Sequence, residues 1–366
     1  MAARGGRVRH QAVRVSRRLS AIYGACFMSD VYLQPIDHPA AWKGADLERE
    51  DDWIHHLDER DLQELDAALR NVRALELDLP RIGRETFPLP RLAARLARWS
   101  EEIENGRGFV VVRGFPAQDY APEDVEAVFW GIGTYLGLPV TQNPRGELMG
   151  HVKDYGRTFG NLDVRGYETN AHLPFHTDGC DLVGLMCLRR AKAGGRSSIV
   201  SALALHNEIR ERHPEFLPVL YRGFHYIKRE AAMTDDPVTA TRVPVFGQRD
   251  GVVSCRYVRA QIEAACTRTG TTLTALEREA LDCLDRLAAD PRFHIDMDLQ
   301  PGDMQLCNNY TILHSRTHFE DWPEPDRRRH MLRLWLTCRR RRPLAADFPQ
   351  HNGYGLGQLT EVAFGG

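Results

Sequence analysis

Lysine is almost missing from this 366-residue chain, since only four of its 48 basic residues are lysine and the other 44 are arginine. Acidic residues number 50, so the net charge is −2, which gives no general attraction to nucleic acid or to an anionic membrane. Codon bias in a GC-rich genome produces such an excess of arginine. Arginine also carries a planar fork of donors that binds a carboxylate at two points. The composition therefore raises the question of whether any of these arginines binds an anion.

Long apolar runs and paired cysteines are also absent. No run approaches the roughly 18 apolar residues that a transmembrane helix needs. The eight cysteines include no C-x-x-C pair, which argues against a zinc ribbon or a thioredoxin-type motif, and they are too sparse for a disulfide scaffold. Cys187 and Cys307 lie in apolar runs and are predicted to be buried free thiols, which fits a reducing cytoplasm. The sequence does not determine the oligomeric state, and a homo-oligomer is possible.

Residues 1–28 differ from the remainder because they hold six arginines and no acidic residue. Such a segment is an organellar transit peptide, a disordered extension, or the product of an upstream start codon with Met28 as the natural start. The sequence leaves these alternatives open. Residues 29–366 are predicted to form one domain, with a helical part at about 45–137 and a β-rich core at about 108–340.

The pattern of apolar residues predicts helices in the first part of the chain and short strands after about residue 150. The predicted helices cover residues 47–79, 92–105, 122–137, 203–212 and 273–289. The β-like runs are 109–113, 182–189, 198–202, 223–228, 252–258, 293–299, 304–306, 311–314 and 332–339. Many short strands broken by turn residues favour an antiparallel sandwich or barrel. Helices in the first part of the chain followed by strands in the second part predict an α+β fold.

A candidate metal site begins at His176-Thr177-Asp178. If these residues lie on a strand, His176 and Asp178 point to the same face, because side chains alternate with a period of two. An imidazole and a carboxylate together can bind a divalent metal when a third ligand arrives from elsewhere. Two histidines and one carboxylate suit a non-haem Fe(II) oxygenase. The simpler alternative is a histidine hydrogen-bonded to a turn aspartate.

A second group of residues follows downstream. Residues 300–317 are predicted to form a turn, a strand, a tight Asn-Asn turn and a second strand that ends at His314. Arg329 and Arg333 follow His314 by 15 and 19 residues, and both have apolar neighbours. Arg333 lies in a run that is predicted to be a buried strand, and a buried arginine requires an anionic partner. Arg339–Arg342, in contrast, fit an exposed basic patch.

The order and spacing of these motifs resemble the TauD/TfdA family of Fe(II)- and 2-oxoglutarate-dependent dioxygenases, in the clavaminate-synthase-like clan. The resemblance covers residues 108–339 or thereabouts. It depends on five ordered features: His176-Thr177-Asp178, Gly194-Gly195-Arg196-Ser197, Gly302-Asp303, His314 and the Arg329/Arg333 pair. It implies a double-stranded β-helix, or jelly roll, with flanking helices and a helical insert.

The resemblance also implies roles for individual residues. His176, Asp178 and His314 would bind Fe(II), while Ser197 and Arg329 would hold the cosubstrate 2-oxoglutarate. Arg333 would contact either the cosubstrate or a substrate anion, because members of the family differ at this position. The implied reaction uses O2, releases succinate and CO2, and hydroxylates an unactivated C–H bond. Desaturation or ring closure is possible in the same family.

The substrate is less well defined by the sequence. An amino acid, a sulfonate-like anion and a natural-product intermediate all remain open. Loops at 155–172 and 229–250 are candidate pocket or lid segments. Glu168, Asn170 and Asp181 could hold an amine or simply cap turns. Two rival functions are a cupin-like metalloenzyme that does not use 2-oxoglutarate and a non-catalytic jelly-roll binding protein.

Overall fold

The computed structural model describes residues 31–143, 145–157, 166–228, 236–340 and 342–348. The prediction for residues 1–28 lies outside the described residues, as do residues 158–165 of the first candidate lid loop and residues 229–235, the start of the second. Within the described ranges, no helix is both long and apolar enough to cross a bilayer.

The described residues form fifteen strands and eight α-helices, joined in places by short 3-10 turns. The strands are β1 (Ile54–His56), β2 (Phe109–Arg113), β3 (Leu138–Pro139), β4 (Met149–Val152), β5 (Leu173–His176), β6 (Leu182–Arg189), β7 (Ala193–Gly194), β8 (Ser197–Ser201), β9 (Phe246–Arg249), β10 (Val252–Cys255), β11 (His294–Met297), β12 (Met304–Asn308), β13 (Ile312–Arg316), β14 (Phe319–Glu320) and β15 (His330–Thr337). The helices are α1 (Gly44–Leu47), α2 (Glu59–Ala74), α3 (Leu92–Asn105), α4 (Pro122–Leu136), α5 (Ala202–Arg212), α6 (Leu217–Arg222), α7 (Arg259–Thr269) and α8 (Ala275–Ala288).

Two sheets face each other across an apolar layer. The large sheet has the strand order β1-β2-β12-β6-β15-β3, with β4 also paired to β15, and the small sheet has the order β11-β8-β13-β5. Residues of both sheets, such as Val183 and Trp335 from the large one and Ile199 and Ile312 from the small one, pack into a single buried cluster. The predicted α+β fold with a jelly-roll core is confirmed.

Alternation along β15 decides which of its side chains enter the space between the sheets. Leu332, Leu334 and Leu336 pack outward against the cluster that contains α2, α3 and α4. Met331 and Trp335 pack into the cluster between the sheets. Because side chains alternate with a period of two, Arg333 projects into the interior beside them.

The outer face of the small sheet is covered by the helical insert that follows β8. Val200 and Leu313 on this face pack in one cluster with apolar residues of α5, α6 and α8. The hydroxyl of Ser201 accepts a hydrogen bond from the backbone N–H of Ala204, 3.0 Å away, so it caps α5 where the strand ends. The sheet that carries the candidate ligands is therefore backed by a continuous helical layer.

Two of the predicted elements are wrong. The continuous helix at 47–79 is interrupted, because β1 pairs in parallel with β2 before α2 begins at Glu59. The predicted strand at 223–228 is absent from the described ladders, and this segment makes only isolated bridges, Phe224 to Val243 and Ile227 to Val238.

Helix α7 was missed for a physical reason. It buries only Ile262 and Ala265, so its sequence carries little helical periodicity. It ends at Thr269, and the next residue, Gly270, has a φ of +67° in the left-handed region that favours glycine.

Candidate metal and anion site

The three predicted metal ligands come together at one end of the small sheet. His176 on β5 and His314 on β13 are direct cross-strand partners, and their ring centroids are 4.3 Å apart. One potential ligand atom each from His176, Asp178 and His314 lies within 4.8 Å of the other two. Two imidazoles and one carboxylate on a common face match the ligand set that Fe(II) takes in non-haem oxygenases.

Both imidazoles are held in the form that binds a metal. Nδ1 of His176 lies 2.8 Å from the carbonyl oxygen of Pro174, to which it donates, so Nε2 is the available ligand atom. Burial lowers the pKa of His176, and it lowers the pKa of His314 to about 3. Burial disfavours the charged imidazolium, so both rings are neutral, as metal coordination requires.

The prediction that His176 and Asp178 share one strand face is wrong, because β5 ends at His176. Two contacts instead turn the chain after the strand. The backbone N–H of Thr177 donates to the carbonyl of Tyr257 at 2.8 Å, and the backbone N–H of Asp178 donates to Oδ1 of Asn309 at 3.1 Å. Tyr257 and Asn309 therefore fix the backbone from which the Asp178 side chain extends.

His314 also differs from its predicted position. It lies in the middle of β13, which continues to Arg316, whereas the sequence predicted that the strand ends at His314. The two residues after His314 therefore keep the alternation of the strand, and Arg316 points to the same face as His314.

The carboxylate of Asp178 is held from the large sheet. Nε1 of Trp335 donates to Oδ2 of Asp178 at 2.9 Å, and Nη1 of Arg333 lies 3.3 Å from the same oxygen. Nε of Arg333 also donates to Oε1 of Gln142 at 2.9 Å. The anionic partner that the sequence required for Arg333 is thus Asp178 among the described residues. Sequence reasoning did not single out Trp335 or Gln142.

We expect Trp335→Phe to lower the affinity for Fe(II) about tenfold, since loss of an outer contact to a metal ligand typically weakens metal binding 10- to 100-fold. The ring volume is largely kept, so the fold should persist. Metal titration by calorimetry in the absence of O2 measures the effect. Trp322→Phe, which changes a tryptophan in the loop between β14 and β15, is the matched control. Equal affinities in the two variants would show that the Trp335 contact does not support the metal site.

Arg329 and the two histidines, His176 and His314, line one cavity. The Arg329 side chain is buried, with the residue 6% exposed, and Nη1 has no hydrogen-bond partner among the described residues. The guanidinium lies 5.2 Å from the ring centroid of Phe319, and burial lowers the pKa of Arg329. A buried donor without a partner costs about 1–3 kcal/mol, and more when it is charged, so the cavity near Arg329 is suited to a carboxylate.

Gly194 and Gly195 allow the chain to pass close to Arg329. Their φ angles are +72° and +70°, in the region that favours glycine. A Cβ at Gly195 would lie 3.0 Å from Nε of Arg329, and one at Gly194 would overlap the carbonyl of His318. The two glycines therefore let the chain pass close to Arg329 just before β8 begins at Ser197.

Ser197 also lines the cavity. Its hydroxyl donates to Oε1 of Gln305 at 2.6 Å.

One cavity connects the metal ligands with this buried arginine. His176, His314, Ser197, Arg329 and Arg333 all contribute to its lining. Apolar side chains, including Leu185 and Met331, form part of its wall. The cavity thus suits a small molecule that chelates a metal at one end and carries a negative charge at the other.

Arg316 is a further residue of this cavity that the sequence analysis missed. It is 5% exposed, and its Nη2 donates to the carbonyl of Thr169 at 2.9 Å and to that of Ala171. Its Nε and Nη1 have no hydrogen-bond partner among the described residues. Burial lowers the pKa of Arg316 to about 10. Its position two residues after His314 on a strand was a signal that could have identified it.

Several other candidates take up structural contacts. Asp181 accepts hydrogen bonds from the Tyr310 hydroxyl at 2.6 Å and from the backbone N–H of Cys338 at 2.9 Å. Glu168 forms an ion pair with Arg157 at 3.1 Å. These contacts favour structural roles for Asp181 and Glu168.

Asn170 accepts a hydrogen bond at its carbonyl from the backbone N–H of Phe319. The expectation of an exposed arginine patch is wrong for Arg342, which is packed against β10 and donates to Ser254 and to the carbonyl of Val253. Neither residue is part of the cavity lining.

Comparison with known proteins points to one family. The sequence model of "Taurine catabolism dioxygenase TauD, TfdA family" matches residues 71–335. The chain is 30% identical over 328 residues to FR-33289 synthase from Streptomyces rubellomurinus, covering 88% of this chain and 96% of the relative. It is 29% identical over 243 residues to a uridine-5′-phosphate dioxygenase from an Amycolatopsis species, covering 62% of this chain and 86% of that protein.

Solved structures agree on the fold. An asparagine oxygenase crystallised with Fe(II), a hydroxyasparagine and succinate aligns with a TM-score of 0.61 at 18% identity. The alignment covers 78% of this chain and 93% of the oxygenase. At this identity the likeness shows the jelly-roll fold with its flanking helices.

Proposed function

Because the chain belongs to the TauD/TfdA family of dioxygenases, we propose that six side chains, five of them in the cavity lining and the sixth Asp178, form its active site. His176, Asp178 and His314 would hold Fe(II). Arg329 would bind the distal carboxylate of 2-oxoglutarate, and the Ser197 hydroxyl would rotate from Gln305 to donate to it. Arg333 would orient Asp178 and add positive charge beside the metal.

The protein is an Fe(II)- and 2-oxoglutarate-dependent dioxygenase that acts on a small molecule. This class of enzyme excludes the two rival functions, the cupin-like metalloenzyme and the non-catalytic binding protein. When bound, iron, 2-oxoglutarate and O2 supply the oxidising power for hydroxylation, and 2-oxoglutarate becomes succinate and CO2. The protein contributes the ligands, the orientation of the bound molecules and the exclusion of water.

The metal assignment is supported by the form of the three side chains. Burial keeps both imidazoles neutral, and the Pro174 carbonyl fixes the tautomer of His176. Trp335 and Arg333 limit the orientations available to the Asp178 carboxylate. The site therefore needs little rearrangement to accept a divalent ion.

The cosubstrate assignment depends above all on one observation. Nη1 of Arg329 is buried without a hydrogen-bond partner among the described residues, in the cavity that His176 and His314 also line. A 2-oxo acid that chelates iron through its keto oxygen and C1 carboxylate would place its far carboxylate along this cavity. An Arg–carboxylate contact made there would be charge-assisted and desolvated, and hence strong.

For the substrate we favour a small organic anion. Five arginines and a single carboxylate, Asp298, line the cavity, and uridine 5′-phosphate in the name of one relative is an anion. A positive charge in a desolvated site selects anions by direct attraction. Hydroxylation is the expected reaction, because the carboxylate ligand Asp178 is retained.

A substrate panel tests this function. Phosphate monoesters, alkylphosphonates, alkylsulfonates and amino acids would be assayed, each beside its neutral ester or amide, for stimulated release of succinate from 2-oxoglutarate under O2. We expect slow succinate formation without substrate and a clear increase only with an anionic member of a pair. Equal stimulation by the neutral member would contradict the anionic substrate class.

We also propose that residues 29–366 form one domain and that the protein works in a reducing cytoplasm. The free thiols of the seven described cysteines, five of them buried, support this compartment. A net charge of −2 supports a small-molecule partner over nucleic acid or a membrane surface.

A further inference from the structure

Three observations connect Arg316 with the proposed cosubstrate site. Arg316 on β13 is the direct cross-strand partner of Ser197 on β8, and such partners have Cβ atoms about 4.5–5.5 Å apart. Its guanidinium lies 4.8 Å from the ring centroid of Phe319, the same ring against which Arg329 packs. Both arginines line the cavity that contains the metal ligands.

The two buried guanidinium groups lack a full set of partners. Nε and Nη1 of Arg316 and Nη1 of Arg329 are buried without a hydrogen-bond partner among the described residues. Neither side chain has a carboxylate oxygen within ion-pair distance in the described part of the chain. Asp321 is a half-buried carboxylate nearby. Its Oδ1 accepts a hydrogen bond from the backbone N–H of Arg329, its Oδ2 has no hydrogen-bond partner among the described residues, and it forms no ion pair with either guanidinium in the described part of the chain.

Two like charges held together in a desolvated site repel each other, and an anion between them removes that repulsion. Arg329 has one nitrogen without a hydrogen-bond partner, Nη1, whereas a carboxylate has two oxygens that accept hydrogen bonds. Arg316 adds further nitrogens without a partner among the described residues. Their arrangement indicates that both arginines contact the same anion.

We propose that Arg316 is a second binding residue for the carboxylate that Arg329 holds, and that it couples binding of this carboxylate to residues 166–172. This inference rests on the proposed function. Nη1 of Arg316, which has no other partner among the described residues, would donate to the anion, while Nη2 donates to the carbonyls of Thr169 and Ala171. One rigid guanidinium therefore connects the bound carboxylate with the segment that leads into β5 and His176.

Coupling follows from the geometry of the guanidinium. A bound carboxylate fixes the plane of the Arg316 fork, and that plane sets the direction of Nη2 toward the two carbonyls. Binding of 2-oxoglutarate therefore stabilises residues 166–172, and the ordered segment in turn favours cosubstrate binding, because such coupling is reciprocal.

The test compares Arg316→Gln with the matched control Arg196→Gln. Arg196 is an exposed arginine next to Ser197 whose side chain pairs with Asp296 at 3.4 Å. Calorimetry with Mn(II) in place of Fe(II), without O2, gives the dissociation constant of 2-oxoglutarate. We expect Arg316→Gln to raise this constant at least about tenfold, because a hydrogen bond to a charged group contributes about 1.5–3 kcal/mol. Arg196→Gln should leave it within about twofold.

Hydrogen–deuterium exchange supplies a readout that does not depend on activity. In the unmodified protein, saturating 2-oxoglutarate should slow exchange in residues 166–172. In Arg316→Gln this protection should be lost even at saturation. If Arg316→Gln does not fold, Arg316→Lys replaces it, since lysine keeps the charge but lacks the fork that reaches both the anion and the two carbonyls.

The same titration with 2-oxopentanoate, which lacks the distal carboxylate, separates the two hypotheses. If the unmodified protein does not prefer 2-oxoglutarate over 2-oxopentanoate, the proposed cosubstrate site itself is wrong. If it does, and Arg316→Gln keeps the same preference and the same protection of residues 166–172, the role of Arg316 is refuted. A reduced preference together with lost protection supports it.

Discussion

Replacing His176 with alanine should remove bound iron and abolish succinate formation. The change leaves two of three ligands and an opening beside His314, its cross-strand partner at 4.3 Å between ring centroids. Loss of a group that is hydrogen-bonded to a metal ligand typically weakens metal binding or activity 10- to 100-fold. Loss of a ligand itself should have a larger effect, so we expect metal affinity and turnover each to fall by more than about a hundredfold. Iron content after anaerobic loading and desalting, together with succinate release, measures both effects.

His318→Ala is a suitable control for this experiment. His318 is an exposed histidine four residues after His314, and it is not among the residues that line the cavity. The control should retain both iron and succinate formation. Full succinate formation by His176→Ala would show that the metal is bound elsewhere.

Replacing Arg329 with alanine should raise the dissociation constant of 2-oxoglutarate about a hundredfold or more while iron remains bound. Truncating one partner of a buried, hydrogen-bonded charge pair costs about 2–5 kcal/mol. The metal ligands do not contact Arg329, so the metal content should not change. Anaerobic titration with 2-oxoglutarate, followed by metal analysis of the same sample, distinguishes the two quantities.

Arg327→Ala is the matched control here, because Arg327 is an exposed arginine that packs over the ring of Trp322. The two variants lose the same charge, so a general electrostatic effect would appear in both. If Arg329→Ala binds 2-oxoglutarate as the control does, the distal carboxylate is held by another residue. Arg316 would then be the first candidate.

The sequence singled out the three proposed metal ligands and Arg329 because each belongs to a motif with fixed spacing, and the structure brings the three side chains together. It did not predict how Asp178 reaches the metal, because the Asn309 and Tyr257 contacts that turn the chain after β5 come from distant parts of the sequence. The same limit applies to Trp335. Its hydrogen bond to Asp178 crosses from one sheet to the other, and no local pattern reports such a contact.

Elements were predicted well where burial follows a clear period. Helix α3 was identified because Leu92, Leu96, Trp99 and Ile103 form one buried stripe, whereas α7 buries too few residues to show one. Strand β1 was missed because its three residues have no apolar alternation and are held by pairing with β2. Arg316 was missed because the predicted strand ended two residues too early.

The site is divided between the two sheets of the jelly roll. His176, Asp178, His314 and Ser197 lie on or next to strands of the small sheet, whereas the groups that hold Asp178 from the other side lie on β15 of the large sheet. The apolar layer between the sheets therefore sets the distance between Asp178 and the groups on β15 that hold it. A change of side-chain volume in this inner layer is therefore expected to shift the proposed ligands relative to Trp335 and Arg333 without replacing any of them.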